Sequence, residues 1–324
     1  MANTLSRRAL VLSVAALGGT SLLSGCGGGG GGGGFVAGGG IESRRSLADL
    51  AASKPELSLF VEALNAAGLT DTLTGSGPYT VFAPNNAAFT ALLGELAVSK
   101  DALFADKATL TAVLKYHVLN KLVLRADIPS GKAIEPIGGG FFKIDRAGDA
   151  YNVTDGRNRV SRIVATDSVA LNGVLHVVDR VLLPANKDIV QTAQATPSLS
   201  ILVAAVAAAG LVDTLKGRGP FTVFAPTNDA FAALLVELGV TQDALLADQA
   251  LLTKVLTYHV LPARVLKADI PFDTPITTVQ GSTFRINGSF QITDQRGRLS
   301  GIAAADVLAS NGVVHVVDRV LLPA

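Results

Sequence analysis

The four histidines have the widest chemical range in the chain, because imidazole can act as a general base, a proton carrier or a metal ligand near neutral pH. His117 and His259 each follow a tyrosine, whereas His176 and His315 each lie within a valine-rich stretch. A protein zinc site needs at least a third ligand close to two histidines. No His-x-x-x-His pair or carboxylate cluster with ligand spacing occurs in the sequence, so we predict no metal site.

Hydrolytic chemistry also lacks a recognisable set of residues. The Gly-x-Ser-x-Gly turn that carries the nucleophile of α/β-hydrolases is missing from the sequence. Paired carboxylates for glycoside hydrolysis are not evident, although carboxylates distant in sequence can meet in a fold. We therefore predict no catalytic residues and no cofactor, and we keep as the alternative an enzyme, or an enzyme accessory, acting on an extracellular polymer.

The histidines fit positions in a protein core. Leu110, Val113, Leu114 and His117 follow the i, i+3, i+4, i+7 spacing of one helix face, and the stretch 252–259 repeats this pattern. A buried imidazole is normally held by a hydrogen bond. We expect His176 and His315, which lie among valines on a strand, to hold the fold as well. Asp179 and Asp318, on the opposite face of that strand, should hydrogen-bond a turn or pair with an arginine.

The only cysteine, Cys26, lies at the end of an export signal. Arg7 and Arg8 precede an apolar stretch at residues 9–23, and Leu-Ser-Gly-Cys follows at 23–26; this charged, apolar, small-residue order is typical of a signal peptide. The four residues resemble the bacterial lipobox, which implies removal of residues 1–25 and attachment of diacylglycerol to Cys26. An ordinary signal peptide is the alternative, and the paired arginines leave both general secretory and twin-arginine export open.

Composition narrows the possible partners. Apolar residues make up 49% of the chain and aromatic residues 5%, with no tryptophan, so a disordered chain and a base-stacking surface are both excluded. Loss of Arg7 and Arg8 leaves 27 − 2 = 25 basic against 26 acidic side chains, and a net charge of −1 offers no attraction for nucleic acid. Eight glycines follow Cys26, so we predict a flexible tether at residues 26–43.

The rest of the chain is a duplication. The stretch NGVLHVVDRVLLPA at Asn172–Ala185 recurs almost unchanged at Asn311–Ala324, and its Val/Leu run after Asn-Gly predicts a central strand buried on both faces. The repeats define two domains, at residues 44–185 and 186–324. The second is three residues shorter, at a predicted hairpin where Asn287-Gly288 joins two alternating segments.

Helices precede strands in each repeat. A helix is predicted near Ser46 and near Asp188, and a second helix at 57–67 and at 199–209, where a glycine ends it. Strands follow from Tyr79 and Phe221 onward, after Gly-Pro. This order predicts an α+β fold in which each domain is an antiparallel β-sandwich covered by a layer of helices.

Three repeated motifs resemble those of the fasciclin (FAS1) domain family. They are TVFAPNNAAF at 80–89 with TVFAPTNDAF at 222–231, Tyr-His at 116–117 and 258–259, and the closing strand; Ala87 replaces the acidic residue that the second repeat keeps as Asp229. The resemblance implies a wedge-shaped sandwich and a role in adhesion or matrix binding. It also implies partner contacts at the Tyr-His region and a nearby Asp-Ile pair, which here are Tyr116, His117, Asp127, Ile128, Tyr258, His259, Asp269 and Ile270.

Together these features predict a non-catalytic adhesion or binding protein of the cell envelope. Its partners would be a membrane, reached through lipidated Cys26, and an extracellular or envelope protein or polysaccharide. We expect it at the outer membrane, the cell surface or the periplasm, because Gly27 gives no inner-membrane retention signal of the Asp type. A passive structural spacer is a further alternative, and the sequence leaves the oligomeric state open.

Overall fold

The computed structural model of the protein describes residues 45–324, which belong to one compact unit. The predicted signal peptide, Cys26 and the glycine-rich tether lie outside the described residues. Within the described part of the chain, no helix is both long enough and apolar enough to cross a membrane.

The first repeat begins with helices and continues into a sheet. Its helices are α1 (Leu47–Ala52), α2 (Ser58–Ala67), α3 (Thr70–Thr74), α4 (Asn86–Leu96), α5 (Lys100–Ala105) and α6 (Lys107–Tyr116). Its strands are β1 (Tyr79–Pro84), β2 (Val118–Leu119), β3 (Ala133–Ile134), β4 (Phe142–Ala147), β5 (Ala150–Thr154), β6 (Val160–Ala170) and β7 (Gly173–Val178). Short 3₁₀ helices lie at Pro55–Leu57 and Arg125–Asp127.

The second repeat has the same order of elements. Its helices are α7 (Ile189–Gln194), α8 (Ser200–Ala208), α9 (Val212–Lys216), α10 (Asn228–Leu238), α11 (Gln242–Ala247) and α12 (Gln249–Tyr258). Its strands are β8 (Phe221–Pro226), β9 (Val260–Leu261), β10 (Ile276–Thr277), β11 (Thr283–Ile286), β12 (Gln291–Thr293), β13 (Leu299–Ala309) and β14 (Gly312–Val317), with 3₁₀ helices at Pro197–Leu199 and Lys267–Asp269.

The helix boundaries follow from local capping. Ser46 and Asp49 form a capping box at the start of α1, and Asp188 and Gln191 form one at the start of α7; each box satisfies backbone N–H groups that the first turn leaves unpaired. Gly68 ends α2 in the left-handed conformation, with φ +68°, which glycine adopts without a steric penalty. The helices predicted near Ser46, Asp188 and residue 57 are thus confirmed.

Each sheet, as far as residues 45–324 describe it, has seven strands in the order β2-β1-β7-β6-β5-β4-β3 or its equivalent β10-β11-β12-β13-β14-β8-β9 read from the other end. The closing strand β7 lies between β1 and β6 and is buried at every residue, as predicted. Its pairing with β1 is parallel, whereas the other pairs are antiparallel. Gly173 opens the strand because a Cβ there would lie 2.0 Å from the carbonyl oxygen of Tyr79.

Alternation along the central strands separates two cores in each repeat. In the first repeat, Val81 and Leu175 face the helical layer, while Phe82 and Val178 face a second core inside the curled sheet, with Phe142 among its members. The second repeat divides in the same way. Both layers are therefore needed to bury the sheet, and the fold is α+β in two tandem domains, as predicted.

The length difference between the repeats falls in the predicted hairpin. Strands β4 and β5 pair antiparallel through Asp145–Asn152 to a tight turn at 148–149, whereas β11 and β12 are shorter. The side chain of Asn287 closes the shorter connection by accepting hydrogen bonds from the N–H groups of Ser289 and Gln291, each at 3.0 Å. A deletion here leaves the central strands unchanged.

The two repeats are joined by polar and apolar contacts. The side-chain amide of Asn158 forms two hydrogen bonds with the backbone of Leu308, which donates to Oδ1 at 2.6 Å and accepts from Nδ2 at 3.0 Å. Lys143 Nζ donates to the buried carboxylate of Asp306 at 2.8 Å. Phe141 of the first repeat shares an apolar cluster with Leu266 and Leu308 of the second. These contacts make one face of the second repeat a docking surface for the first.

Candidate functional site

His117 joins the end of α6 to the segment that follows β7. The helix ends at Tyr116, and His117 is its fully buried C-terminal cap residue. Leu182 N–H donates to Nε2 at 2.9 Å, so Nδ1 must carry the proton, which it donates to the Val113 carbonyl at 2.7 Å. Burial lowers the pKa of His117 to about 4 because the charged imidazolium would lose its hydration. Both ring nitrogens of this neutral imidazole are engaged by backbone.

His259 repeats this arrangement in the second domain. Leu321 N–H donates to Nε2 at 2.9 Å, and Nδ1 donates to the Val255 carbonyl at 2.8 Å. Burial again lowers the pKa of the imidazole to about 4. The helical spacing correctly predicted that both histidines turn inward.

The second pair of histidines supports a bulge in the long strand. Asp167 N–H donates to Nδ1 of His176 at 3.3 Å, and Nε2 of His176 donates to the Val123 carbonyl at 2.9 Å. Asp167 has φ +58° at a register shift between β6 and β7, so the imidazole fills a place that the regular ladder leaves unpaired. His315 and Asp306 repeat these contacts. Both histidines are buried and bonded to backbone, so they hold the fold, as predicted. Burial also lowers the pKa of each.

Asp179 and Asp318, at the end of the closing strand of each repeat, also accept hydrogen bonds from the neighbouring strand through their Oδ1 atoms. Asp179 accepts from the backbone N–H of Arg162 at 2.7 Å, and Asp318 accepts from that of Gly301, also at 2.7 Å. Each also accepts from a serine hydroxyl on the neighbouring strand, Ser161 or Ser300. The carboxylates bind the adjacent strand directly, and neither forms an ion pair with an arginine side chain among residues 45–324.

A buried Asp–Arg pair, which the sequence analysis missed, anchors the chain after β7. Asp155 is 1% exposed and accepts from Arg159 Nη2 at 2.8 Å and from Leu183 N–H at 3.0 Å. Arg159 also donates to the Val181 carbonyl and to the half-exposed carboxylate of Glu95 in α4. Asp294, Arg298 and Glu237 repeat the network. The repeated Asp-x-Arg-x-Arg spacing was the available signal.

The residues predicted to contact a partner fall into buried and exposed groups. Tyr116 and His117 are 1% and 0% exposed, and the Tyr116 hydroxyl donates to the Phe141 carbonyl. Burial raises the pKa of Tyr116, and it raises that of Tyr258, which donates to the Thr283 carbonyl, to about 12. The Tyr-His pairs thus lie inside their domains.

In each Asp-Ile pair, only the aspartate is exposed at the surface. Ile128 and Ile270 are 8% and 6% exposed, whereas Asp127 and Asp269 are exposed at the ends of their 3₁₀ helices. Asp269 Oδ1 lies 3.9 Å from Lys132 Nζ of the other repeat. Of the predicted contact residues, Asp127 and Asp269 are therefore the ones whose side chains a partner could reach in this conformation.

One cavity in the second repeat is almost entirely apolar. A cavity of about 60 Å³ between α7, α8 and α9 is lined by apolar side chains, by Gln194 and by His259, whose ring nitrogens are both occupied. Among residues 45–324, no group of three or more His, Cys, Asp or Glu side chains could hold a metal ion. The side-chain hydrogen bonds described above join groups of the protein itself, most of them backbone groups.

Two curled sheets, each covered by helices and fastened by buried histidine and aspartate side chains, define a tandem two-domain repeat protein. The family model of the fasciclin domain matches residues 55–184 and 197–323. The chain belongs to the fasciclin domain family, as its three repeated motifs predicted.

Several relatives show the breadth of that family. The chain is 30% identical over 258 residues to transforming growth factor-beta-induced protein ig-h3 of Sus scrofa, an alignment that covers 79% of this chain and 36% of the relative. It is 41% identical over 150 residues to protein sll1483 of Synechocystis, covering 45% of this chain and 79% of that protein. Cell surface glycolipoprotein MPB83 of Mycobacterium bovis is 35% identical over 144 residues, 43% of this chain and 62% of that protein. The chain spans about a third of the length of the first matched relatives.

Proposed function

We propose that the protein is a lipid-anchored, non-catalytic binding protein of the cell envelope, which presents two fasciclin domains to an extracellular or envelope protein or polysaccharide. The observation that carries the non-catalytic part is the engagement of both ring nitrogens in all four histidines. A general base needs a free nitrogen within reach of a substrate proton. The most reactive side chains of the repeated motifs are instead used to hold the fold.

Two features support the envelope location. The Leu-Ser-Gly-Cys sequence at 23–26 follows a charged and an apolar segment in the order of a lipoprotein signal. The chain is also similar over 144 residues to a mycobacterial protein named a cell surface glycolipoprotein, and this similarity supports an envelope location. Diacylglycerol on Cys26 would hold the chain on a membrane, because burial of acyl chains contributes about 0.8 kcal/mol per CH₂ group.

Duplication supports a binding role. Two copies of one domain on a single tether raise the effective concentration of the second site once the first is occupied. The exposed aspartates at the 3₁₀ helices, Asp127 and Asp269, occupy equivalent places in the two repeats. Asp269 lies near Lys132, whereas no cationic side chain among residues 45–324 lies within ion-pair distance of the Asp127 carboxylate. We therefore assign the stronger contact to Asp127.

An array of envelope polysaccharides and extracellular matrix proteins tests this role. The mature chain carrying Cys26→Ser should bind at least one of them, and Asp127→Ala should weaken that binding more than Asp269→Ala. Asp149→Ala is the matched control, since its side chain is 98% exposed in the same repeat. No binding to any component of the array, or an equal loss of binding for Asp127→Ala and Asp149→Ala, would contradict the assignment.

A further inference from the structure

Three exposed apolar side chains form a patch on the first repeat. Leu122 is 50% exposed, Val169 46% and Leu171 68%. All three line one shallow concavity beside the Gly77-Pro78 turn. Scattered single apolar residues are common on protein surfaces, but a contiguous group points to a contact surface. We call these residues the Leu122 patch.

The same surface of the second repeat is already a contact surface. Arg264, Leu308 and Ser310 occupy the positions of Leu122, Val169 and Leu171. Leu308 is 2% exposed because Asn158 and Phe141 of the first repeat cover it. Arg264 lies 4.4 Å above the Phe141 ring and pairs with Glu135. In the first repeat, the corresponding surface is more apolar and, among residues 45–324, is left uncovered.

A second copy of the chain is a poor occupant for this patch. The first repeat covers the second with Phe141 and Asn158, whose equivalents in the second repeat are Thr283 and Gly297. In a second copy, Phe141 and Asn158 already cover that copy's own second repeat, so its free surface would offer neither the aromatic ring nor the amide that makes the contact within the chain. The partner that covers the patch must therefore bind it through apolar contacts that do not depend on Phe141 and Asn158.

The chain from Cys26 reaches the folded domains beside this patch. Leu171 N–H donates to the carbonyl oxygen of Arg45 at 2.9 Å, and Arg45 is the first described residue. Cys26 precedes Arg45 by 19 residues, a length that spans at most about 65 Å when fully extended. A lipid on Cys26 would thus hold the Leu122 patch within about 65 Å of the membrane surface, which lets the patch reach the lipid.

The charges around the patch suit a membrane with anionic lipids. Arg45 and Lys121 are exposed at its border, and Lys121 directly precedes Leu122. Asp167 is the exposed acidic residue nearby on β6, and one of its carboxylate oxygens accepts a hydrogen bond from Arg125 N–H at 2.8 Å. Leucine side chains flanked by Lys and Arg are the composition of segments that lie in the membrane interface.

We propose that the Leu122 patch lies against the lipid surface to which Cys26 anchors the chain. This inference rests on the proposed lipid anchor and deepens it, because the lipid would then fix the orientation of the first repeat as well as its location. The apolar side chains enter the headgroup region, and Arg45 and Lys121 contact lipid phosphates. The lipid surface would thus cover, on the first repeat, the surface equivalent to the one that the first repeat covers on the second.

Site-specific labelling tests this contact in the lipidated full-length protein. Cys26 is the only cysteine in the chain, so once it is acylated a Leu171→Cys variant carries one reactive thiol for an environment-sensitive fluorophore. The protein is reconstituted into phosphatidylcholine–phosphatidylglycerol vesicles that contain a lipid quencher in the acyl region. We expect a blue shift and loss of fluorescence at position 171, and a smaller loss when Leu122→Ser is added.

Two control positions isolate the patch. Ser310→Cys places the label at the equivalent position of the second repeat, and Val236→Cys places it on the most exposed apolar residue of α10, which is 84% exposed. Neither label should be quenched by the lipid. Folding of each variant is checked by its thermal unfolding transition.

Each outcome decides between the two proposals. Protein that floats with vesicles but shows equal quenching at positions 171, 310 and 236 keeps its anchor and overturns the membrane contact. Protein that does not float refutes the anchor, and the contact fails with it. A blue shift at position 171 that grows with protein concentration in the absence of vesicles would show that a second copy covers the patch, which also overturns the proposal.

Discussion

Acidification from pH 7 to pH 5 should destabilise the protein through its buried histidines. The pKa of His117 and that of His259 are each lowered from 6.5 to about 4 by burial. Between these values the unfolded chain binds a proton at each histidine and the folded chain does not, so the free energy of unfolding falls as the pH falls. Stability is retained above pH 6.5 and is lost progressively toward pH 4.

The expected loss is a substantial fraction of the stability of a typical domain, which is about 5–15 kcal/mol. One pKa unit corresponds to about 1.4 kcal/mol, so protonation of one unfolded-state histidine between pH 7 and pH 5 lowers the free energy of unfolding by about 2 kcal/mol. His117 and His259 together contribute about 4 kcal/mol. His176 and His315 add to this loss in the same direction, since burial lowers their pKa values too.

Urea unfolding at pH 7 and at pH 5 measures this loss. The variant with His117→Gln and His259→Gln should be less stable at pH 7, because the buried hydrogen bonds change, but it should lose about 4 kcal/mol less than the wild type between the two pH values. NMR of the folded wild type gives an independent check, in which neither imidazole titrates above pH 5. Equal pH dependence in both proteins, or titration of His117 near pH 6.5 in the folded state, would refute the reasoning.

Two further predictions concern carboxylates that bind the backbone or a buried arginine and are checked by urea unfolding of matched variants. Asp306 and Asp167 each accept a hydrogen bond from a backbone N–H of the 3₁₀ region, but of the two only Asp306 also accepts one from a lysine of the other repeat. Asp306→Asn should therefore lower the free energy of unfolding by about 2 kcal/mol more than Asp167→Asn. Equal losses of stability would mean that the bond between the repeats adds nothing. Arg159→Ala leaves a carboxylate that is 1% exposed without its partner and should cost about 3–5 kcal/mol, whereas Glu95→Gln, at a half-exposed position, should cost under about 1 kcal/mol.

Sequence reasoning located the features that depend on local pattern. The duplication, the helices near Ser46 and Asp188, the central closing strand and the inward histidines follow from local patterns in the sequence. A helix that presents His117 at the position i+7 from Leu110 turns it toward the core whatever the rest of the fold does. These predictions required no knowledge of long-range contacts.

The features that sequence reasoning missed depend on contacts between distant residues. The parallel pairing of Tyr79 with Gly173 joins strands separated by most of a domain, and the bond between Asn158 and Leu308 joins residues 150 positions apart. Nothing in the local pattern of either segment specifies its partner. The exposure of Val169 could not be predicted either, because the first repeat covers its equivalent in the second repeat, Leu308, and Val169 itself is left uncovered.

The fate of Cys26 is the most direct test of the account. The wild type and a Cys26→Ser variant would be expressed in a bacterial host and separated into membrane and soluble fractions, with the mass of the mature amino terminus measured in each. We expect the wild type to begin at Cys26, to carry a diacylglyceryl modification and to remain with the membrane fraction, whereas the variant should be released from it. An unmodified amino terminus, or equal retention of both proteins in the membrane fraction, would contradict the proposed anchor.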